Sequence, residues 1–144
     1  MKLGIVGTGQ VGCAIALAAV TRGSAREIVL VNRTRKTAEA VATDIRYGTP
    51  LCDRVEVKDA DYDGLEGAGL VLITSGVNEK TGGAIDRSDP EGRLRLLDQN
   101  AAIYREIVPN IVRAAPMAVL VAVTDPHPIL SPTSRARPRV TIAY

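Results

Sequence analysis

Short continuous apolar runs alternate along this chain with longer segments in which apolar residues recur at helical spacing. Uninterrupted runs of Val, Ile and Leu indicate strands buried on both faces, and the 3.6-residue period indicates helices. The predicted strands cover residues 2–7, 27–31, 55–57, 69–74 and 117–124. The predicted helices cover 9–21 and 34–47, and a third begins at Asp89 and Pro90 and continues through Tyr104.

This alternation of strand and helix predicts an α/β fold, a Rossmann-type doubly wound parallel sheet of about five strands. A chain of 144 residues has room for one domain with a full apolar core and is too short for two. We assign 1–125 to this domain and 126–144 to an irregular Pro- and Arg-rich tail, as a truncated or frame-shifted reading frame would produce. A short strand from residue 140 onwards is left open.

Composition narrows the class of protein further. Apolar residues make up 46% of the chain without any Phe or Trp, which suits an aliphatic parallel sheet. A net charge of +2 favours neither a nucleic-acid nor a membrane surface. Cys13 and Cys52 are far apart and indicate no metal site or disulfide. The two separate cysteines suit a reduced, cytoplasmic protein. Glycines interrupt the apolar N-terminus, so we expect no signal peptide.

The strongest motif is G-x-G-x-x-G directly after the first strand and at the start of a helix. Gly7 allows a tight turn, Gly9 lets a pyrophosphate approach the backbone N–H groups, and Gly12 lets helix and strand pack closely. A glycine-rich turn without ligand is the alternative. The predicted pyrophosphate-binding residues are Gly7, Thr8, Gly9, Gln10, Val11 and Gly12.

The residue expected to contact the adenosine ribose lies at the end of the second strand, about 20 residues after the last glycine. That residue is Asn32, followed by Arg33, Arg35 and Lys36. A neutral Asn removes the repulsion of a 2′-phosphate and the cations attract it, so this segment favours NADP, or acceptance of both NAD and NADP. A solvated basic helix start is the equally weighted alternative.

Taken in order, several segments from residue 2 to about 125 resemble the lactate/malate dehydrogenase family, and its lactate branch more than its malate branch. They are LGIVGTGQVG, EIVLVN, DIRYGTPL, VLITSGVNEKTG, RLRLLDQNAAIYREIVPNIVRAAP and VLVAVTDP. The resemblance implies hydride transfer between NAD or NADP and a small 2-hydroxy or 2-oxo acid, and assembly as a homo-oligomer.

The resemblance also implies roles for single residues. Arg93 matches the arginine that polarises the substrate carbonyl, although the loop before it is about eight residues longer than is usual in the family. An ordinary arginine on a helix surface is the alternative. Thr74, Ser75 and Gly76 would line the adenosine and ribose side of the cofactor groove, and Asn100 would lie near the nicotinamide.

Other positions depart from the family pattern. Glu79 stands where the substrate side chain is recognised and would disfavour oxaloacetate, unless the longer loop moves it into solvent. Asp125 replaces the Asn of the family's TNP turn. The family's acid/base histidine and its carboxylate-binding arginine belong to the second domain, and His127 is expected at the surface.

We therefore expect residues 1–125 to be the dinucleotide-binding domain, and so the cofactor-binding part, of a 2-hydroxy acid dehydrogenase whose substrate domain is absent, inactive as this chain alone. A non-catalytic NAD(P)-binding module or a gene remnant is the first alternative. The second is an NADP-dependent reductase resembling shikimate dehydrogenase, suggested by Asn32, Arg33 and Thr34.

Overall fold

A computed structural model describes residues 1–78, 95–124 and 140–142 of the chain. Within these ranges strands and helices follow one another as the apolar pattern predicts, with two additional 3-10 turns, Thr49–Leu51 and Tyr62–Leu65. The helices are α1 (Gln10–Thr21), α2 (Arg35–Gly48) and α3 (Arg95–Ala114). The strands are β1 (Lys2–Val6), β2 (Glu27–Val31), β3 (Glu56–Asp59), β4 (Leu70–Ile73), β5 (Val119–Ala122) and β6 (Val140–Ile142).

The described strands form a six-stranded sheet in the order β3-β2-β1-β4-β5-β6, and every pair is parallel. Lys2 pairs with Glu27 on one side of the central strand β1, and Val6 pairs with Ile73 on the other. The strand order therefore reverses between β1 and β4. In an open parallel sheet, ligands bind outside the carboxyl ends of the strands at this reversal.

Each face of the sheet carries its own apolar core. On one face, strand residues such as Ile5 and Leu30 pack with alanines of α1 and α2, among them Ala16 and Ala38, all of them fully buried. The small side chains let the helices lie close to the strands. On the other face, larger side chains of α3 fill the space; these include Tyr104, Ile107, Val108 and Ile111.

The structure confirms the α/β, Rossmann-type parallel sheet that the pattern predicts. Element ends also agree closely: α1 is followed by Gly23 at φ +63°, and α2 ends at Gly48. The third strand lies one to two residues later than predicted, at Glu56–Asp59. Helix α3 continues through Pro109.

Three residues of the 126–144 segment form β6, which pairs with β5 from Leu120 to Ala122. The strand left open by the sequence is therefore present at Val140–Ile142. The predicted helix start at Asp89 and Pro90 lies outside the described residues.

Candidate functional site

A groove of about 560 Å³ lies at the carboxyl ends of the strands, where the strand order reverses. The ends of β1, β2 and β4 form its floor, and α3 forms one wall. Its lining residues come from five segments of the chain: Val6, Gly7, Thr8, Gly9, Val31, Asn32, Arg33, Thr37, Asp61, Tyr62, Thr74, Ser75, Gly76, Val77, Ile103, Glu106 and Ile107.

A larger hollow of about 730 Å³ lies elsewhere, beside the amino end of β4 and the end of α3. Asp63, Arg113 and Met117 are among its lining residues. It lies away from the glycine turn and from the carboxyl ends of the strands, where parallel sheets bind ligands. We therefore place the candidate site in the smaller groove.

Two of the motif glycines are required by close packing. Gly7 has φ +105°, and a Cβ atom there would lie 2.6 Å from the backbone nitrogen of Ser75. A Cβ atom on Gly12 would collide with the carbonyl oxygen of Gly7 and lie 2.9 Å from Thr74 Oγ1. Both glycines thus allow the start of α1 to lie directly against the ends of β1 and β4.

Gly9 differs from the other two glycines. A Cβ atom there would have no heavy atom within 4 Å, so packing within the protein does not require a glycine. The residue lies at the N-cap of α1, whose free N–H groups and helix dipole attract anions. The open space beside Gly9 is thus suited to a ligand phosphate that approaches the backbone.

Hydroxyl groups at the end of β4 fix the glycine turn through hydrogen bonds to its backbone. Thr74 Oγ1 donates to the carbonyl of Gly7 at 2.8 Å, and Ser75 Oγ donates to the carbonyl of Val6 at 3.1 Å. Thr124, at the end of β5, donates in turn to the carbonyl of Ser75 at 2.7 Å. The floor of the groove is therefore tied together across three neighbouring strands.

At the end of β2, Asn32 Nδ2 donates to Thr8 Oγ1 at 2.9 Å. Thr8 is 5% exposed, so this contact is largely shielded from water. With the amide nitrogen engaged, the Asn32 oxygen is the atom available to accept a hydrogen bond from a ligand. The site thus offers a neutral acceptor at the point where dinucleotide-binding folds commonly carry a carboxylate.

The cations after Asn32 are not equivalent. Arg33 is exposed and lines the groove, and it has no ion-pair partner among the described residues. Arg35 instead bonds Asp59 Oδ2 through Nε at 2.8 Å and Asp61 Oδ2 through Nη1 at 3.0 Å. Arg35 is therefore already engaged by carboxylates, which corrects the expectation that it offers a free charge to a 2′-phosphate.

The ion pairs of Arg35 also alter titration. Its guanidinium, through the hydrogen bond to Asp59, holds the pKa of the Asp59 carboxyl below its usual value. The same bond raises the pKa of Arg35. Both groups are thus charged at neutral pH.

Asn100, on the first turns of α3, is fully buried and does not line the groove. Its Oδ1 accepts from the Val77 backbone N–H at 2.8 Å, and its Nδ2 donates to the Val77 carbonyl at 3.3 Å. This paired contact imitates a peptide group and holds the backbone that follows β4 against α3. Asn100 thus shapes the groove wall by holding this backbone, and its place near the nicotinamide stays a prediction.

Comparison with known proteins shows to which family the chain belongs. The family model of the lactate/malate dehydrogenase NAD binding domain matches residues 1–136. The chain belongs to the lactate/malate dehydrogenase family. Its match continues past the boundary at residue 125 that we expect for the nucleotide-binding domain.

Relatives and solved structures agree with this family. The chain is 45% identical to L-lactate dehydrogenase of Thermus aquaticus over 131 residues, which are 91% of this chain and 40% of that protein. It is 42% identical to L-lactate dehydrogenase of Chloroherpeton thalassium over 131 residues, again 91% of this chain and 40% of the relative. The chain thus spans about two fifths of the length of these relatives.

Among solved structures, the minor L-lactate dehydrogenase from Enterococcus mundtii is 30% identical, with a TM-score of 0.81, 98% of this chain covered and 44% of the other. A malate dehydrogenase from Salinibacter ruber is 22% identical at a TM-score of 0.79, covering 100% of this chain and 45% of the other, and shows the shared fold. The resemblance seen in the sequence motifs is therefore confirmed. The similarity to shikimate dehydrogenase remains a prediction that these matches do not test.

Within this family fold, most of the predicted cofactor residues meet at one groove. Gln10 and Val11 are exposed at the start of α1, and Gly12 is buried beneath the turn. The predicted carbonyl-polarising Arg93 and the predicted substrate residues Glu79 and Asp125 lie outside the described residues. The predicted residues that line the groove are Gly7, Thr8, Gly9, Asn32, Arg33, Thr74, Ser75 and Gly76.

The sequence motifs did not identify several lining residues. Asp61 and Tyr62 follow β3 directly, so the rule that ligands meet the carboxyl ends of strands could have found them. The others are apolar residues of strand ends and loops or residues of α2 and α3, and only the tertiary fold distinguishes them from core or surface residues: Val6, Val31, Thr37, Val77, Ile103, Glu106 and Ile107.

Neither a metal centre nor a membrane span is found in the described ranges. No three His, Cys, Asp or Glu side chains of 1–78, 95–124 and 140–142 are grouped so as to hold a metal ion. In the same ranges no helix combines the length and apolarity that crossing a membrane requires.

Proposed function

We propose that this chain is the cofactor-binding part of a nicotinamide-dependent 2-hydroxy acid dehydrogenase of the lactate/malate type. The single observation that supports this most is the groove lined by Gly7 and Gly9 of the glycine turn, at the sheet's reversal point and at the N-terminus of α1. In the complete reaction, hydride passes between C4 of the nicotinamide and C2 of a small 2-hydroxy acid.

The free backbone N–H groups at the start of α1 bind the pyrophosphate, because the open space beside Gly9 permits close approach. The adenosine ribose then lies towards the end of β2, near Asn32. Tyr62 and Ile103 supply apolar surface to the same groove. These residues bind and orient the nucleotide, and the nicotinamide supplies the hydride chemistry.

The end of β2 favours NADP over NAD in this proposal. Asn32 carries no charge to repel a 2′-phosphate, and Arg33 lines the groove as a free cation in the described part of the chain. Each effect is electrostatic and acts at an exposed edge, so the preference should be moderate and weaken as salt increases.

Purified 144-residue chain should bind nucleotide without measurable turnover. Family resemblance places the acid/base histidine and the carboxylate-binding arginine in a second domain, and a histidine acid/base typically contributes about 10²–10⁴-fold to rate. Arg93 for the carbonyl, with Glu79 and Asp125 near the substrate, remain our proposed contributions from this chain.

Isothermal titration with NAD and NADP tests the cofactor proposal directly. We expect both to bind and NADP to bind more tightly. Asn32→Asp should shift the affinity ratio about tenfold towards NAD, since it adds a charge-assisted bond to ribose hydroxyls and repels the phosphate. Asn110→Asp, which adds the same charge at a half-buried position of α3 that does not line the groove, should leave the ratio unchanged.

Three results would contradict parts of this proposal. Binding of neither nucleotide would refute the cofactor site, and tighter binding of NAD by the parent would refute the role of Arg33. Turnover of pyruvate, oxaloacetate or a longer 2-oxo acid by the 144-residue chain would refute its proposed inactivity. Nucleotide binding without turnover supports a cofactor-binding module over a remnant without function.

A further inference from the structure

The groove has an acidic side chain on its rim close to the proposed ribose site. Asp61 and Glu106 are the acids that line the groove in the described part of the chain, and Asp61 follows β3, the neighbour of β2. Its side chain is 76% exposed. An uncompensated carboxylate at this position would oppose a phosphate on the adenosine ribose.

Arg35 compensates that charge by a bridge between two segments. Its Nε bonds Asp59 and its Nη1 bonds Asp61, while its Nη2 lies 3.4 Å from the Asp59 carbonyl. The planar guanidinium reaches all three oxygens at once, which a lysine ammonium on a flexible stem does less well. Arg35 itself does not line the groove, so it would act on a ligand through Asp61.

We infer that Arg35 is a positioning residue that permits a 2′-phosphate at the groove, because its bridge to Asp59 and Asp61 holds and neutralises the rim carboxylate. This inference rests on the proposed function and adds a residue that acts on cofactor choice without contacting the cofactor. Loss of Arg35 leaves the carboxylates of Asp59 and Asp61 without this cation, and the Asp61 charge at the rim then weakens binding of NADP but not of NAD.

Titration of the full 144-residue chain with NAD and NADP at low and high salt tests this. Arg35→Gln should weaken the binding of NADP about fivefold at low salt and the binding of NAD by less than about twofold. The difference should shrink at high salt because the effect is electrostatic. Asp61→Asn should strengthen NADP by a few fold, since it removes the rim charge and frees Arg35. The double substitution should return the affinity ratio close to that of the parent.

Arg105→Gln on α3 is the matched control, because it removes an exposed arginine that does not line the groove. A residue with only a structural role would change both affinities together. Equal weakening of NAD and NADP binding by Arg35→Gln overturns the inference. So does a double variant in which Asp61→Asn fails to bring the affinity ratio of Arg35→Gln back towards that of the parent. Should Arg35→Gln not fold, Asp61→Asn decides alone: an unchanged ratio overturns the inference and a shift to NADP supports it.

These outcomes remain distinct from failure of the proposed function. A parent chain that binds neither nucleotide refutes the function itself. A parent chain that binds both, with a ratio insensitive to Arg35 and Asp61, refutes only the role of this bridge.

Discussion

The two halves of the sheet hold the groove in different ways. In the half formed by β1, β2 and β3, side chains engage other side chains: Asn32 bonds Thr8, and Arg35 bonds Asp59 and Asp61. These contacts set the charge and the hydrogen-bonding character of the rim. Of these contacts, only the one from Arg35 Nη2 to the Asp59 carbonyl, at 3.4 Å, reaches backbone.

In the half formed by β4, β5 and α3, side chains mainly hold backbone. Asn100 holds both polar groups of Val77, and Thr124 holds the carbonyl of Ser75. Substitutions in this half should therefore change whether the groove exists, and substitutions in the first half should change which nucleotide it prefers. The predictions below test that division, from the largest expected effect to the smallest.

The largest effect is expected where the two halves meet. Gly12→Ala puts a Cβ atom against the Gly7 carbonyl and Thr74, so the turn and the end of β4 must both move. Overpacking of this kind costs about 1–3 kcal/mol, and here we expect the upper end of that range. Urea denaturation should show lower stability, and titration should show loss of both nucleotides.

Gly9→Ala is the matched control, since a Cβ there meets no protein atom. It should lose less stability than Gly12→Ala, because alanine only makes a poorer N-cap, and it should still lose nucleotide affinity, because the methyl group occupies the space intended for phosphate. Equal destabilisation by Gly9→Ala and Gly12→Ala would contradict the packing argument.

The second effect concerns the backbone-holding half. Asn100→Ala leaves the N–H and carbonyl of Val77 without their partner, and an unsatisfied, shielded polar group costs about 1–3 kcal/mol. Denaturation should report that loss, and NAD and NADP affinities should fall by the same factor. An effect on one nucleotide alone would show that Asn100 reads the ligand.

The third effect concerns the rim. Thr8→Val keeps the shape of the side chain but removes the acceptor for Asn32, at a cost of about 1 kcal/mol in unfolding free energy. The amide then loses its fixed orientation, so the ratio of NAD to NADP affinity should change while the fold persists. Thr8→Ser restores the oxygen and should restore the ratio. If the parent, Thr8→Val and Thr8→Ser all had the same affinity ratio, the first half of the sheet would not control which nucleotide is preferred.

The smallest effect lies at the opposite, amino edge of the first half. Glu27 Oε1 lies 2.5 Å from Lys58 Nζ and 3.2 Å from Lys2 Nζ, so the carboxylate forms an ion pair with each lysine. Lys58, then Lys2, hold the pKa of the Glu27 carboxyl below its usual value. A lowered folded pKa contributes stability above the ordinary pKa, and that stability disappears as pH falls through the folded value.

For such a partly exposed cluster we expect about 0.5 kcal/mol. Glu27→Gln should therefore be slightly less stable than the parent at neutral pH, and the difference should vanish in acid. Thermal unfolding across that acidic range measures it. The nucleotide affinity ratio should not move, since Glu27 lies away from the groove.

Local patterns predicted most of the fold. The glycine turn, β1, α1 and β2 are encoded by neighbouring residues, so spacing alone located them to within one or two positions. The apolar runs likewise predicted β4 and β5, because a strand buried on both faces leaves few other interpretations.

Contacts between distant residues could not be predicted in the same way. Arg35 is 24 and 26 residues from its two acidic partners, so the sequence suggested a free cation where the fold makes an ion pair. Asn100 is 23 residues from Val77. The family resemblance predicted only that it lies near the nicotinamide, and did not reveal that its amide holds the backbone of Val77. Which of several polar side chains faces a ligand is decided by tertiary packing.

The central position of β1 also affects how the protein folds while it is being synthesised. Lys2–Val6 is synthesised before its partner Leu70–Ile73, which follows only after α1, β2, α2 and β3. At about 5–20 residues per second, one side of that strand waits for several seconds. The early chain therefore carries an unpaired aliphatic edge, which makes this interval the time when a chaperone would matter most.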